Sequence, residues 1–295
     1  MTIKCAFCGS DAEFLYKLDK YEIYQCKHCK TAFTKNMPTE EELKEYYDGF
    51  NFCVYPQNKY KICSKAFQDW YKDFNFPQNA KMLDIGGGGG YFSLAFEKYG
   101  FGEATYIDLD SQACEYAKDL GLNKVINDSV LNLKNITNEK YNFIYCRHVI
   151  EHLTDPTTLV NYAIDLLNDG GLFILQFPNG LSIERLCEDK FREHRIDSIC
   201  KSNDFSRCKA LKLLYSDKTC SDLEPPRHLW AISKQGITEF LSKRKDIEFK
   251  LETKSIEDRI WSPYYHHPRN HIKFIRLLHE LYSGGNHLIC KIRKK

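Results

Sequence analysis

His148, Glu151 and His152 fall within HVIEHL, residues 148 to 153, and Asp155-Pro156 follows. On a helix, positions i, i+3 and i+4 share a face. Two imidazoles and a carboxylate on one face hold a divalent metal, exchange a proton, or only organise the edge of the helix. The letters also match H-x-x-E-H, the inverted zinc-protease signature, and Glu224 lies downstream as a candidate distant carboxylate. His228, in PPRHLW, is the histidine expected to come across from the opposite side.

A second grouping lies at the N-terminus. Cys5-x-x-Cys8 and Cys26-x-x-Cys29 are separated by 17 residues, the spacing of a four-thiolate zinc site. Each C-x-x-C forms a knuckle, and EFLYKLDKYEIYQC between them alternates as a hairpin does, so the two knuckles can meet around a tetrahedral ion. A redox C-x-x-C would need one motif beside a βαβ unit. Four thiolates fill the coordination sphere, which makes this zinc structural rather than catalytic. A unit of this length has too little core to fold alone, and the metal would hold it together.

The third grouping is KMLDIGGGGGYFSLAFEKYG, from Lys81. It reads as a buried strand ending near Asp84, a turn of five glycines, and a helix. Glycine is needed where backbone takes positive φ and approaches a ligand closely. No Gly-Lys-Ser/Thr follows, which excludes a P-loop. Asp84 just before the turn suits a cationic or amino-acid ligand better than a pyrophosphate. Asp108 and Asp110 end the next strand, ATYIDLD, at the distance from which an acid binds ribose hydroxyls. Asp128 ends a third strand, KVIND.

These groups need a scaffold. YNFIYCR is a fourth strand leading straight into HVIEHL, and LFILQFPN, after Asn168-Asp169-Gly170-Gly171, is a fifth. Such alternation predicts an α/β, doubly wound, Rossmann-like sheet with its ligand at the carboxyl ends of the strands. Inverted zinc proteases do not place their motif after a glycine-looped parallel series, so that reading falls. Predicted units are a zinc ribbon over residues 1–35, a helical linker over 36–80, and a main domain over 81–295 with an insertion at about 181–223. PTEEELKEYY starts a helix in the linker, and a second spans Tyr60 to Phe74. The last helix and a closing antiparallel pair fall in residues 235–295, with His266, His267 and His271 in an aromatic, basic loop.

Composition bounds the function. The chain has 295 residues, 28% of them charged, with a net charge of +2, so no global field draws it to nucleic acid. No segment has the roughly 18 apolar residues of a membrane span and the start has no signal-like core, which fits a cytoplasmic protein without membrane partners. The cysteines outside the two knuckles are scattered, as small buried apolar residues are.

In LDIGGGGGYFS, YIDLD, YNFIYCRHVIEHLTDP, LLNDGGLFILQFPN and PPRHLWAIS, taken in order, the chain resembles class I S-adenosylmethionine (SAM) dependent methyltransferases, especially those with an N-terminal zinc ribbon. The resemblance implies a seven-stranded sheet and SAM as cofactor. Gly86, Gly88 and Gly90 would line its methionine part, with Asp84 near the ammonium, Asp108 on the ribose and Asp128 on the adenine amino group. Asn142 departs from the pattern where an aspartate often begins the fourth strand. Some relatives bind a divalent metal through an E-x-x-E-H helix and a later histidine. Here His148 replaces the first glutamate, which leaves Glu151, His152 and His228, with or without His148, as a second metal site; a metal-free histidine base and a purely structural role stay open beside it. The implied acceptor is an oxygen or nitrogen of a small polar metabolite, a sugar nucleotide or phosphorylated intermediate in surface-polysaccharide or natural-product biosynthesis. In this fold the insertion covers the acceptor, so Arg185, Arg192 and Arg195 are candidate contacts to an anion. An RNA methyltransferase that grips RNA with its ribbon is the alternative; the near-neutral charge weighs against it.

Overall fold

Strands β1 (Ile3–Lys4), β2 (Asp11–Leu18), β3 (Tyr21–Cys26) and β4 (Ala32–Thr34) form the N-terminal meander. Asp19 (φ 53°) turns the β2–β3 hairpin, whose inward residues Tyr16, Leu18 and Ile23 are buried. The computed structural model describes residues 3–47, 76–182, 189–216, 223–254 and 287–295. The predicted helix from Tyr60, Arg185 and the loop with His266, His267 and His271 lie outside these residues, as do Arg192's side-chain surroundings.

Helix α1 (Glu40–Tyr47) begins with a reciprocal cap: Thr39 Oγ1 accepts the Glu42 N–H (3.1 Å) and Glu42 Oε2 accepts the Thr39 N–H (2.9 Å). The main domain then runs β5 (Ala80–Ile85), α2 (Tyr91–Lys98), β6 (Gly102–Asp108), α3 (Ser111–Asp119), β7 (Lys124–Asn127), a 3₁₀ turn (Val130–Asn132), α4 (Leu133–Ile136) and β8 (Tyr141–Arg147). A 3₁₀ turn at Ile150–His152, α5 (Pro156–Asp165) and β9 (Leu167–Pro178) follow. After these come α6 (Asp189–Asn203), α7 (Arg207–Ser216), β10 (Trp230–Ala231), α8 (Lys234–Ser242), β11 (Ile247–Lys254) and β12 (His287–Lys294).

Seven strands make the main sheet, in the order β11-β12-β9-β8-β5-β6-β7. From β9 to β7 all pairs are parallel, and β12 runs antiparallel between β9 and β11. Parallel strands covered on both faces read as apolar runs, and in β8 Phe143, Ile144, Tyr145 and Cys146 are all buried. Asn142 has a structural use: its Oδ1 accepts the Lys81 N–H at 2.9 Å, tying β8 to β5. The chain leaves β5 toward β6 and returns on its other flank as β8, so the crevice between the carboxyl ends of β5 and β8 is the topological switch point. The glycine run follows β5 and HVIEHL follows β8.

Two features depart from the sequence expectations. HVIEHL is not an α-helix. His148 takes φ +53° and ends the strand, and only the three-residue 3₁₀ turn follows. The helix starts eight residues later, where Asp155 caps the Thr158 N–H (3.1 Å) and Pro156 occupies the first turn. Among the described residues, the helices of the insertion pack on the ribbon hairpin. Ile196, Ile199 and Ala210 of α6 and α7 join Tyr16, Leu18 and Ile23 in one cluster, and Asn203 Oδ1 accepts the Lys17 N–H of β2 at 2.7 Å. Arg195 of α6 is buried. Among the described residues no helix is long and apolar enough to cross a membrane.

Candidate functional site

The N-terminal cysteines come together as their spacing requires. Gly9 (φ 84°) and Lys30 (φ 63°) turn the two knuckles, and their N–H groups donate to the Cys5 and Cys26 carbonyls. Cys5 Sγ lies 3.7 Å from Cys29 Sγ, and Cys8 Sγ lies 3.3 Å from Cys26 Sγ, with all four ligand atoms within 4.8 Å of one another. A tetrahedron with bonds of about 2.3 Å has edges of roughly 3.8 Å, so the set fits zinc. The electrostatics agree. The Cys5 thiol hydrogen-bonds Cys29 and lowers its pKa to about 4, while the same contact and burial push Cys5 up and burial raises Cys26 to about 11. Four crowded sulfurs cannot all ionise without a cation among them.

The glycine run is the floor of the crevice. Gly86, Gly88 and Gly90 have φ of 66°, 52° and 67°, which L-residues adopt at a cost. A Cβ on Gly86 would lie 2.3 Å from Val149 Cγ2, so the turn after β8 presses directly on the loop. A Cβ on Gly88 would meet nothing within 4 Å among the described residues. Asp108 holds this backbone: its Oδ2 accepts the Gly88 N–H (2.9 Å) and its Oδ1 the Asp110 N–H (3.0 Å). Each oxygen keeps a lone pair for a diol. Asp128 Oδ1 accepts from Ser129 N and from Asn132 Nδ2 (2.9 Å). Asp84 lies beneath the loop, 2% exposed, and accepts the Ser93 hydroxyl at 2.7 Å. Burial raises its pKa to about 7, the Ser93 hydrogen bond opposes that shift, and the Asp108 charge adds to it.

The third group stands across from this floor. Glu151, His152 and His228 offer ligand atoms within 4.8 Å of one another, and the His152 and His228 ring centroids are 4.7 Å apart. Glu151 is 1% exposed, and its Oε2 has no hydrogen-bond partner among the described residues. Its Oε1 lies 3.1 Å from His148 Nδ1 and 3.7 Å from His152 Nε2, the second too far for a hydrogen bond. His152 Nδ1 lies 2.9 Å from the Arg227 carbonyl, which only accepts, so Nδ1 carries the ring proton. Tyr47 Oη, 2.9 Å from the same nitrogen, donates to that carbonyl at 3.3 Å. Burial lowers the His152 pKa against the pull of Glu151, which keeps the ring neutral with a bare lone pair on Nε2. Burial in turn raises the Glu151 pKa, with His152 opposing. Two lone-pair atoms facing each other, plus an orphaned carboxylate oxygen, are the surroundings a cation requires. Two imidazoles and a carboxylate suit Zn, Fe or Mn better than Mg.

The scan against protein families decides what this combination belongs to: the model described as "Methyltransferase domain" matches residues 59–239. The chain belongs to the methyltransferase domain family. The matched span covers the glycine run, the strand-end acids and the Glu151, His152 and His228 group, though not the cysteine knuckles. Among curated relatives, the ribosomal protein L11 methyltransferase of Clostridium botulinum (strain Alaska E43 / Type E3) is 30% identical over 161 residues, 53% of this chain and 48% of that protein. The ubiquinone biosynthesis O-methyltransferase of Hydrogenovibrio crunogenus is 28% identical over 108 residues, 35% of this chain and 44% of that protein. The chain thus spans about half the length of the curated relatives it matches. A solved plantazolicin methyltransferase, BamL, in complex with a triazolic desmethylPZN analog and SAH, is 18% identical, with 87% of this chain and 91% of that one covered at a TM-score of 0.48.

Three members of the candidate site were not legible as such. Tyr47 and the Arg227 carbonyl reach His152 from 105 and 75 residues away in the chain, and no short-range signal marks them. His287, buried at the start of β12, sets its ring edge-on to His148, centroids 4.9 Å apart. His148 stands outside the three-ligand group and joins it through Glu151.

Proposed function

We propose that this protein transfers the methyl group of SAM to an oxygen or nitrogen of a small polar metabolite, a sugar nucleotide or another phosphorylated intermediate of a surface-polysaccharide or natural-product pathway, in the cytoplasm. One observation carries the reading: lone pairs of Glu151, His152 and His228 converge beside a glycine loop in which a Cβ on Gly88 would meet nothing within 4 Å among the described residues. In this reading Gly86, Gly88 and Gly90 bear the methionine part of SAM, Asp84 faces its ammonium through the loop, Asp108 takes the ribose and Asp128 the adenine.

A divalent metal at Glu151, His152 and His228 would supply Lewis-acid chemistry that lowers the pKa of an acceptor hydroxyl. The chain's own residues prepare that site. Tyr47 and the Arg227 carbonyl fix the His152 tautomer, as outer partners of metal-binding histidines do. His148 holds Glu151 Oε1 in place. Positive charge from Arg227 and Arg147 acts on Glu151, which favours a phosphorylated acceptor. An oxygen acceptor agrees with the name of the ubiquinone-pathway relatives. Without metal, the His148–Glu151 pair supports a second route: His148, 31% exposed at its side chain, takes the acceptor proton on Nε2 while Glu151 orients it.

The test combines calorimetry with SAM and SAH, metal analysis, and SAH release on a panel of nucleotide sugars against RNA. Submicromolar to micromolar SAH binding, a second divalent ion beyond one zinc per chain, and turnover on a nucleotide sugar are expected. Absence of SAH binding removes the proposal, and turnover on RNA alone replaces the acceptor. One metal per chain after loading selects the metal-free route.

A further inference from the structure

Strand β10 is two residues long and follows His228 by one residue. It is the fifth strand of the ribbon sheet, in the order β1-β2-β3-β4-β10, with Trp230 opposite Phe33 and Ala231 opposite Ala32 of β4. Two residues form no strand by themselves, so β10 exists because the ribbon offers an edge to pair with.

Leu229 sits at the joint. Its carbonyl accepts the Thr34 N–H of β4 at 2.9 Å, and its own N–H donates to the Glu151 carbonyl at 2.8 Å. One peptide unit on either side of Leu229 therefore joins the ribbon to the turn that carries Glu151 and His152. Trp230 makes the same connection through its side chain. Its Nε1–H donates to the Leu153 carbonyl at 2.8 Å, and its ring packs on Phe33 (5.2 Å) and on Phe7 (5.6 Å), which lies between Cys5 and Cys8. The second knuckle holds the far end of the segment: the Ser233 hydroxyl donates to the Cys29 carbonyl, and a Cβ on Gly236 would come within 3.3 Å of Cys29 Sγ.

We propose that the ribbon positions the histidine cluster, with Leu229 and Trp230 as the positioning residues that hold His228 against Glu151 and His152. With its four sulfurs metal-bound, β4 keeps the register that fixes Leu229. With the metal lost, β4 and Phe7 lose that register, and His228 moves relative to Glu151. The glycine loop rests on β5, β6 and Val149 rather than on the ribbon, and it keeps its shape.

Histidine-ring NMR of the full chain tests this, with zinc content and SAH affinity measured on the same samples. In Trp230→Phe the aromatic packing is retained and the hydrogen bond to Leu153 is deleted; the His152 and His228 ring signals are expected to shift or broaden while one zinc per chain is kept. In Cys8→Ser, stripped of zinc, the same two signals are expected to broaden and SAH affinity to stay within threefold of the parent. Unmoved His152 and His228 signals in either variant overturn the proposal. So does a Cys8→Ser chain that no longer binds SAH, because the ribbon would then hold the whole molecule rather than one corner of its site. The SAH arm rests on the methyl-transfer reading and the ring spectra do not: a parent chain that binds no SAH, with the ring shifts present in both variants, refutes that reading and leaves this one standing.

Discussion

Gly88→Ala and Gly86→Ala add the same methyl group to the same turn and are expected to fail in different ways. Both residues lie in the left-handed region, at φ 52° and 66°, where a Cβ costs roughly 1–2 kcal/mol. At Gly88 no clash with the described residues adds to that cost, since the new Cβ meets none of them within 4 Å. At Gly86 it lies 2.3 Å from Val149 Cγ2, and overpacking adds about 1–3 kcal/mol, for a total of about 2–5 kcal/mol. Ligand binding should rank the other way. The Gly88 methyl points into the space assigned to SAM, and displacing the ligand by about 2 kcal/mol lowers affinity roughly thirtyfold. Urea denaturation gives the first quantity and calorimetry with SAH the second. A Gly88→Ala protein that binds SAH within threefold of the parent refutes the placement of the ligand over the loop.

His228→Ala and Glu151→Gln should each lower methyl transfer by about 10²-fold or more while SAH affinity holds, and normal turnover of His228→Ala removes that residue from the chemistry. Asp84, with its pKa raised to about 7, is protonated in the fold at pH values where the unfolded chain has already ionised it. Its contribution to stability therefore falls from about pH 4 to about pH 7 and is level above, so Asp84→Asn should gain stability relative to the parent at pH 8 but not at pH 4. If the carboxylate faces the ammonium, SAH affinity of the parent rises through pH 6–7, and Asp84→Asn flattens that rise. Asp155→Ala deletes the cap on Thr158 and should cost about 1 kcal/mol in denaturation, with no change in the Cys5, Cys8, Cys26 and Cys29 zinc content.

Local patterns were the legible part of this chain. The strand, glycine turn and helix at 81–98, the two C-x-x-C pairs and the helix start in PTEEELKEYY each carry their signal within a few residues, and the structure has them where the letters put them. HVIEHL misled because its spacing imitates a helical face. The stop signal is a single left-handed residue, His148; histidine is enriched at positive φ among non-glycine residues, but it takes that conformation too seldom for one letter to mark the end of a helix. The site's outer partners were illegible for a different reason: Tyr47, the Arg227 carbonyl and His287 arrive from separate elements, and only the folded topology brings them together. Likewise the polar sequence of α6 does not disclose that Ile196 and Ile199 form a stripe matched to the ribbon hairpin.

The pairing of β10 with β4 bears on how such a protein could be recombined. A ribbon is ordinarily pictured as a cassette, cut at a linker and grafted elsewhere. Here the last strand of its sheet is encoded nearly two hundred residues downstream, next to His228. A graft that takes only the N-terminal segment leaves both halves unpaired, the excised ribbon at β4 and the body left behind at Trp230. A working exchange would have to carry the segment from Arg227 through Lys243 with it, including the Lys243 amine that donates to the Phe7 carbonyl at 2.8 Å, and would therefore bring its own histidine to the new host.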